Sequence, residues 1–386
     1  MLSRHMSKRV SDIPASGIRK FFDVAAVLED VISLGIGEPD FDTPEPILQA
    51  GIRSLQNGET HYTSNYGRMD LREAVAKYLE NQYGVVYDPG TEIIITVGVS
   101  EALYLANTTI VDPGDEILIP TPCFVSYQPE VKLAGGVPVI VPCRAEENFD
   151  LNIELLEKSI SENTKGVLFG FPSNPTGVVA RREKLEGVAR LATENDLVVI
   201  SDELYDQLVY GVEHVCFSSL PGMRERTLLL GGFSKNYAMT GWRVGFMCGP
   251  ADLIAGAVRV HQYAIMCAPT TAQAGALEAL RTGSEYAARM RDEYDRRRKL
   301  IVSGMNEIGL TTFEPLGAFY AFPDISSTGL DDQVFSERLL LEEKVAVIPG
   351  KYFGAGGAGH IRCSYATAYD QIEEALRRIE RFVNRL

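Results

Sequence analysis

Four short apolar runs of the chain, EIIITVG, KGVLFGF, LVVIS and TLLLGGF, are each followed closely by residues that offer hydrogen-bonding groups. Together these residues supply the start of a helix, a guanidinium, a carboxylate, a phenol, an amide and an amine. They are Val99, Ser100, Asn174, Asp202, Tyr205, Ser234, Lys235 and Arg243. The start of a helix and a nearby cation suit a phosphate group. The combination therefore predicts a site for a small phosphorylated ligand.

Each of these residues, taken singly, also has an ordinary structural explanation. Ser100 and Asp202 could cap helices, and Asn174 could be a turn residue before proline. Lys235 could be a surface amine and Arg243 half of an ion pair. Taken together, the groups match the requirements of pyridoxal 5′-phosphate (PLP), which we expect as the cofactor.

The elements that must position these residues have the pattern of an α/β fold. Short β-branched runs such as LVVIS alternate with longer helix-like segments such as REKLEGVARLATEN. Fully apolar runs of this kind are typical of a parallel or mixed sheet covered on both faces. We expect a large α/β domain over residues 46–283. Ligands of open α/β sheets bind beyond the carboxyl ends of the strands, where the polar residues stand.

The remainder of the chain predicts a smaller α+β domain, formed by residues 11–45 and 284–386. SEYAARMRDEYDRRRKLIVSGMNEIGL reads as a long helix, and GAFYAFPD, VAVIPG and HIRCSYA read as strands before a final helix. We expect the RDEYDRRRK cluster to be a solvated helix face. GAGGAG, residues 354–359, precedes a strand-like run rather than a helix, so it predicts a turn instead of a dinucleotide site.

Composition and charge narrow the function classes. The 386 residues include 45% hydrophobic and 23% charged residues, as in ordinary soluble proteins. The net charge of −15 disfavours nucleic acid and anionic membrane as partners. No apolar stretch approaches the length of a bilayer span, and the first residues lack a signal sequence, so we expect a cytoplasmic protein. The six cysteines and five histidines form no disulfide pattern and no metal-binding motif.

At this point the chain resembles a known family. The motifs ISLGIGEPDF, HYTSNYG, PTPCFVSY, FPSNPTG, SDELY, SKNYAMTGWRVG, GAFYAF and HIRCSYA follow the order seen in class I aminotransferases of the aspartate aminotransferase superfamily, a fold-type I PLP group. The resemblance spans residues from about 30 to 370. The opening ISLGIGEPDFDTP and the ending RCSYATAY are similar to the archaeal-type aromatic and aspartate aminotransferases.

The resemblance implies a role for each matching residue. Lys235 matches the amine that bonds covalently to the cofactor aldehyde, and Asp202 matches the acid that pairs with the pyridine nitrogen. Tyr205 and Asn174 match groups bonded to the ring oxygen, and Phe124 matches an aromatic ring stacked on the cofactor. The phosphate ligands it implies are Val99, Ser100, Ser234 and Arg243, with Tyr62 from a second subunit. One departure is Gly232, where many relatives carry a phosphate-binding serine.

The resemblance also names the reaction. Arg362, in HIRCSYA, matches the arginine that grips the substrate α-carboxylate, with Gly37 and Asn174 beside it. It implies transfer of an amino group from an L-amino acid, aromatic or aspartate, to a 2-oxo acid such as 2-oxoglutarate, by a ping-pong mechanism in a homodimer. We expect the segment of residues 17–30 to close over bound substrate.

Other functions stay open from the residues alone. PLP lyases, including carbon–sulfur lyases, share this scaffold and differ in which Cα bond breaks. A non-catalytic aminotransferase-like sensor would need an added DNA-binding region, for which the chain has no room before residue 30. A nicotinamide dehydrogenase is disfavoured because the strand-GxGxxG-helix unit is missing.

Overall fold

A computed structural model describes residues 5–13, 17 and 28–386 of the chain. Its helices are α1 (Lys8–Ser11), α2 (Glu45–Gln56), α3 (Met69–Tyr83), α4 (Gly98–Ile110), α5 (Tyr127–Ala134), α6 (Ile153–Lys158), α7 (Arg182–Glu194), α8 (Ala251–Ala264), α9 (Thr270–Thr282), α10 (Ser284–Glu307), α11 (Asp332–Glu343) and α12 (Tyr369–Val383). Its strands are β1 (Ile32–Ser33), β2 (Ile93–Thr96), β3 (Glu116–Thr121), β4 (Val137–Pro142), β5 (Thr164–Gly170), β6 (Val198–Asp202), β7 (Thr227–Gly232), β8 (Gly245–Cys248), β9 (Tyr320–Ala321), β10 (Val345–Ala346), β11 (Ile348–Pro349) and β12 (Ile361–Ser364).

A seven-stranded sheet forms the centre of the fold, with the strand order β2-β8-β7-β6-β5-β3-β4. Strand β8 runs antiparallel to both of its neighbours, and the other pairs are parallel. Every residue of β2 and of β8 is buried, because helices cover both faces of the sheet. This confirms the predicted α/β class with a mostly parallel sheet.

The register of the sheet brings the ends of its central strands together. Gly170 pairs with Asp202 across β5 and β6, and Asp202 pairs with Leu230 across β6 and β7. The segments that leave these three strands therefore emerge together at the carboxyl ends of the strands. The polar residues predicted from the sequence must meet at this end of the sheet.

Shorter strands carry the C-terminal part of the chain. Strand β1 pairs in parallel with β10, and β12 lies between β11 and β9 in an antiparallel sheet. Apolar residues of β1, β9, β10 and β12 join those of α10, α11 and α12 in one hydrophobic core that reaches from Ile32 to Phe382, while Ile348 of β11 belongs to a second core. The division into domains at residues 46–283, and 11–45 with 284–386, stays a prediction.

Other predictions from the sequence concern the charged helix, the glycine-rich segment and the N-terminal segment. The solvated face predicted for α10 is wrong at Arg297 and Arg298, which are buried and bind Asp40 and Glu314 as well as acids of their own helix. GAGGAG forms a turn that leads into β12, as predicted. Most of the segment predicted to close over substrate lies outside the described residues. Within the described part of the chain, no helix combines the length and apolar character that a membrane crossing needs.

Candidate active site

A cavity of about 1000 Å³ opens at the carboxyl ends of the central strands. The predicted site residues that line it are Gly37, Val99, Ser100, Phe124, Asn174, Asp202, Tyr205, Ser234, Lys235, Arg243 and Arg362. They come from seven separate stretches of the sequence, and the fold brings them to one place. Tyr62 is the exception among the predicted residues.

Lys235 lies in the loop after β7, and its amine is enclosed by the walls of the cavity. Its Nζ donates a hydrogen bond to the Gly37 carbonyl oxygen at 2.8 Å. Burial lowers the pKa of Lys235 to about 8, and the charges of Arg243 and Arg362 act in the same direction against the opposing effect of Glu38. A substantial neutral fraction of this amine therefore exists near neutral pH, unlike that of an ordinary lysine.

Asp202 is the last residue of β6, and its side chain faces the cavity. Tyr127 donates its hydroxyl to Oδ2 at 2.9 Å, and the Leu204 N–H donates to Oδ1 at 3.2 Å. Burial raises the pKa of Asp202 to about 6 in spite of these two bonds. Among the described residues no basic side chain forms an ion pair with Asp202, so the acid has room for a cationic partner.

Helix α4 presents its N-terminus to the cavity. Gly98 has φ +72°, which turns the chain sharply after β2, and the N-cap residue Val97 gives no side-chain bond to the first amides of the helix. Val99 and Ser100 in this first turn line the cavity. The unpaired amides and the helix dipole favour an anion at this end.

Arg243 lies across from this helix end, with the closest guanidinium nitrogen 3.0 Å from the position that a Cβ on Gly98 would occupy. Its Nη1 donates to the Thr240 carbonyl oxygen at 2.8 Å. Ser234 lines the same region. A side chain at Gly232 would lie only 3.0 Å from the Val99 side chain, so a larger residue there would have to displace its neighbours.

Arg362 on β12 is 5% exposed and lines the cavity. Its Nη1 donates to Asn174 Oδ1 at 2.8 Å, its Nη2 donates to the Gly35 carbonyl oxygen at 2.6 Å, and its Nε has no partner. The guanidinium also lies over the Tyr320 ring at 4.6 Å from its centroid. Burial lowers the pKa of Arg362. Within the part of the chain that the structure describes, this buried guanidinium therefore bonds only to neutral oxygens.

Tyr205, Phe124 and Gly37 complete the lining. The Tyr205 hydroxyl lies 2.8 Å from the Tyr320 hydroxyl. Phe124 packs edge-on against Tyr127, with ring centroids 5.8 Å apart. A Cβ on Gly37 would lie 2.2 Å from the Tyr320 hydroxyl, so only glycine allows this close approach of the loop.

Tyr62 does not reach the cavity of its own chain. It is 79% exposed. A role at a site in a second subunit is not contradicted by this position, and it stays a prediction.

Two important tyrosines were not assigned from the sequence. Tyr127 ends the motif PTPCFVSY and bonds Asp202, and Tyr320 lies within GAFYAF and contacts both Tyr205 and Arg362. Both motifs were recognised, but only Phe124 received a role. The spacing of three between Phe124 and Tyr127, which puts both on one side of a helical turn, was an available signal.

Comparisons with known proteins agree with this geometry. A family model described as "Aminotransferase class I and II" matches residues 29–379. The aspartate aminotransferase of Pyrococcus abyssi is 48% identical to the chain over 97% of each sequence. Aromatic-amino-acid aminotransferase 2 of Thermococcus litoralis is 46% identical, also over 97% of each. The crystal structure of the aromatic aminotransferase from Pyrococcus horikoshii OT3 superposes with a TM-score of 0.91 at 45% identity, covering 95% of this chain and 99% of that one.

The family match spans both the strand ends that form the cavity and the strand that carries Arg362. Class I aminotransferases of the aspartate aminotransferase family use PLP. The chain therefore belongs to the class I and II aminotransferases and is a PLP-dependent enzyme that transfers amino groups.

Proposed function

We propose that the cavity binds PLP through Lys235 and Asp202, and that the enzyme moves the amino group of an aromatic L-amino acid to 2-oxoglutarate. One observation carries the proposal. A lysine of lowered pKa and an acid without a basic partner face the same cavity.

Asp202 fits the pyridine nitrogen of the cofactor. Burial raises the pKa of this carboxyl to about 6, and the charge of Lys235 opposes that effect only in part, so a further positive charge would stabilise the carboxylate. A protonated ring nitrogen supplies that charge, and the carboxylate in turn keeps the nitrogen protonated. Tyr127 orients the carboxyl by its bond to Oδ2. When bound, the cofactor supplies an amine-reactive aldehyde and a ring that accepts electrons released at the substrate Cα.

Lys235 acts as the covalent anchor and as the base. Its lowered pKa leaves the Nζ lone pair available for attack at the aldehyde. When it is not bonded to the cofactor, Nζ would be the base that removes the proton from the substrate Cα and the acid that returns it. The Gly37 carbonyl, which accepts a hydrogen bond from Nζ, helps to direct the amine.

The phosphate of the cofactor fits the start of α4. The amides of Val99 and Ser100, the hydroxyl of Ser234 and the guanidinium of Arg243 supply donors and positive charge. Gly232 contributes no side chain, so Ser234 is the hydroxyl donor that we propose in this loop.

Asn174 and Tyr205 are the proposed partners of the ring oxygen. Asn174 uses its Oδ1 for Arg362, which leaves its amide hydrogens for the cofactor. Tyr205 can donate its hydroxyl hydrogen there while it accepts one from Tyr320. Donors at this oxygen favour its anionic form. Phe124 is the proposed stacking partner of the ring.

Arg362 is the proposed ligand of the substrate α-carboxylate. A buried guanidinium without an acidic partner gains a charge-assisted, two-pronged bond when a carboxylate arrives. Fixing that carboxylate sets the direction of the Cα–H bond relative to Lys235. Gly37 leaves room for it beside Tyr320.

The remaining lining supports an aromatic donor. Lys235, Arg243 and Arg362 are the basic residues among the described residues that line the cavity, and each already has a proposed ligand. Apolar and aromatic side chains line much of the rest, namely Leu28, Val31, Ile36, Leu103, Phe124, Val125, Tyr320 and Phe353. An aromatic side chain of the substrate gains more binding free energy from contact with this apolar lining than a second carboxylate does.

We further infer a homodimer and a cytoplasmic location. Tyr62 is exposed, as are Tyr263, Ile265 and Met266, and the Met266 carbonyl accepts a bond from Asn65 near Tyr62. Exposed apolar groups clustered in this way favour contact with a second copy, which would bring Tyr62 to the partner's phosphate site. Free cysteines at all six positions support a reducing compartment.

The assignment of Lys235 is tested with the variant Lys235→Ala. The wild-type protein supplied with PLP should acquire visible absorbance that survives as a covalent adduct after borohydride reduction. Lys235→Ala should form no adduct and lose at least about 10,000-fold in turnover, because both the anchor and the proton carrier are gone. Lys158→Ala, which changes an exposed lysine on α6, should behave like the wild type. A reducible adduct in Lys235→Ala would overturn the assignment.

The donor preference is tested with tyrosine, phenylalanine, aspartate, glutamate and alanine, each with 2-oxoglutarate where the donor is not glutamate. Tyrosine and phenylalanine should exceed aspartate by at least about tenfold in kcat/KM. A higher value for aspartate would contradict the aromatic preference. Release of ammonia without formation of glutamate would point to lyase chemistry instead.

A further inference from the structure

Asp206, which follows the cavity-lining residue Tyr205, accepts four hydrogen bonds. Its Oδ2 accepts from the Tyr78 hydroxyl and from the Tyr83 hydroxyl, the second at 2.8 Å. Its Oδ1 accepts from Asn236 Nδ2 at 2.6 Å and from the Gln207 N–H at 2.9 Å. Among the described residues no basic side chain forms an ion pair with it. Neutral donors therefore hold this carboxylate in one orientation.

Asp206 and Asn236 each stand next to a residue with a proposed function in the site. Asp206 directly follows Tyr205, and Asn236 directly follows Lys235. The bond between Asp206 and Asn236 therefore joins the segment that carries the proposed ring-oxygen donor to the segment that carries the proposed anchor.

The main chain does not make this connection. Strands β6 and β7 pair as far as Asp202 and Leu230. The last backbone hydrogen bond between the two segments is donated by the Glu203 N–H to the Leu230 carbonyl oxygen at 2.9 Å. Beyond it, no backbone hydrogen bond joins residues 204–208 to residues 233–238 of the described chain. The two segments separate here, and side chains bridge them.

A second, longer bridge accompanies the first. Gln207 Nε2 donates to the Tyr237 hydroxyl at 3.2 Å and to the Tyr78 hydroxyl at 3.1 Å. Tyr78 and Tyr83 belong to α3, so this helix also takes part in the group. The two tyrosines of α3 thus fix Asp206, and Asp206 in turn binds Asn236.

We propose that Asp206 is a positioning residue, which sets the distance between the Tyr205 hydroxyl and the Lys235 amine through its bond to Asn236. The inference rests on the roles proposed above for Tyr205 and Lys235. Loss of the bond lets the two segments move independently. The Tyr205 hydroxyl then stabilises the anionic ring oxygen less well, and the reacting amine departs from its best orientation.

The variants Asp206→Ala, Asn236→Ala and the double variant test this in the PLP-loaded enzyme. Tyr83→Phe is the matched control, because it removes one bond to the same carboxylate without cutting the bridge. The readouts are the pH midpoint of the visible cofactor absorbance, kcat, and the melting temperature. Asp206→Ala and Asn236→Ala should each raise the midpoint by at least about half a pH unit and lower kcat about tenfold.

The double variant should shift the midpoint no further than either single variant, because both changes cut one connection. Tyr83→Phe should lower the melting temperature and leave the midpoint within about 0.2 pH units of the wild type. An unchanged midpoint in Asn236→Ala, or an equal shift in Tyr83→Phe, would overturn the proposal. If Asp206→Ala does not fold, Asn236→Ala alone decides. A wild-type enzyme without a titrating visible band would instead refute the roles of Lys235 and Tyr205.

Discussion

At the scale of single residues, the reactivity of the site depends on how far burial moves two pKa values toward neutrality. The pKa of Lys235 is lowered to about 8 and the pKa of Asp202 is raised to about 6. In both cases the main cause is burial, which deprives the charged form of water. The two shifts have opposite signs because one group is charged when protonated and the other when deprotonated. Each group is thereby prepared for a partner that the cofactor supplies.

The pKa of Lys235 leads to a prediction for cofactor capture. Only the neutral amine attacks an aldehyde, so the rate of covalent capture by the cofactor-free protein should rise from about pH 6 and level off above about pH 8. The measurement is the rate of appearance of borohydride-stable adduct across this range. Lys235→Ala is the control and should give no adduct. A rate that still climbs near pH 10, as an ordinary lysine would give, would contradict the lowered pKa.

Residue identities were predictable where a local motif carries them, and residue contacts were not. Lys235, Asn174 and Arg362 stand in motifs that a reader can recognise. The bond from Tyr127 to Asp202 joins residues 75 positions apart, and the ion pair of Arg297 with Asp40 joins residues 257 positions apart. Such contacts follow from tertiary packing, so Arg297 was wrongly expected in solvent.

At the scale of elements, the phosphate site depends on how α4 begins. Strand β2 ends at Thr96, and the chain must turn at once so that the helix amides point into the cavity. Gly98 makes this turn with φ +72° and leaves space for Arg243. A short strand, a turn and a helix start together form the anion site that we propose.

Gly98→Ala should therefore weaken PLP binding. The methyl group would strain the backbone and lie 3.0 Å from Arg243 Nη2, so affinity for PLP should fall about tenfold or more. Affinity for pyridoxal, which lacks the phosphate, should change much less. Both affinities can be measured by absorbance titration.

Gly84→Ala is the matched control for the Gly98 variant. Gly84 has φ +69° at the end of α3, and nothing lies within 4 Å of an added Cβ. Both variants should lose about 1 kcal/mol of stability. Equal losses of PLP affinity in the two variants would argue against a special role for the start of α4.

The central strands were predictable because both of their faces are buried, which gives continuous apolar runs. The two-residue strands β9, β10 and β11 were located only as parts of longer strand-like stretches. Their limits depend on pairing with β12 and β1, which local propensity does not encode.

At the scale of the whole molecule, a strongly acidic chain encloses a cavity with three basic residues. The net charge is −15, whereas Lys235, Arg243 and Arg362 line one space. Three acids, Asp30, Glu38 and Asp202, line the same space, so the basic residues act on small anions as local charges, while the acidic molecule as a whole repels polyanions. Both the phosphate and the substrate carboxylate benefit from this arrangement.

The proposed dimer makes the phosphate site dependent on assembly. Sedimentation should give twice the mass of one chain for the wild type and for Tyr62→Phe, because that substitution removes only a hydroxyl. Tyr62→Phe should nevertheless bind PLP about tenfold more weakly, since one donor to the phosphate is lost. Tyr263→Phe, which changes another exposed tyrosine, should bind normally. A monomeric wild type would refute the shared site.

The hydrogen bond between Lys235 and the Gly37 carbonyl has one more consequence. The donor to this oxygen is the same Lys235 nitrogen that we propose reacts with the cofactor. A part-buried carbonyl that loses its donor is costly by about 1–3 kcal/mol unless another N–H replaces it. The amine of a bound amino acid would bring such a group, so it would take over the hydrogen bond that Lys235 gives up.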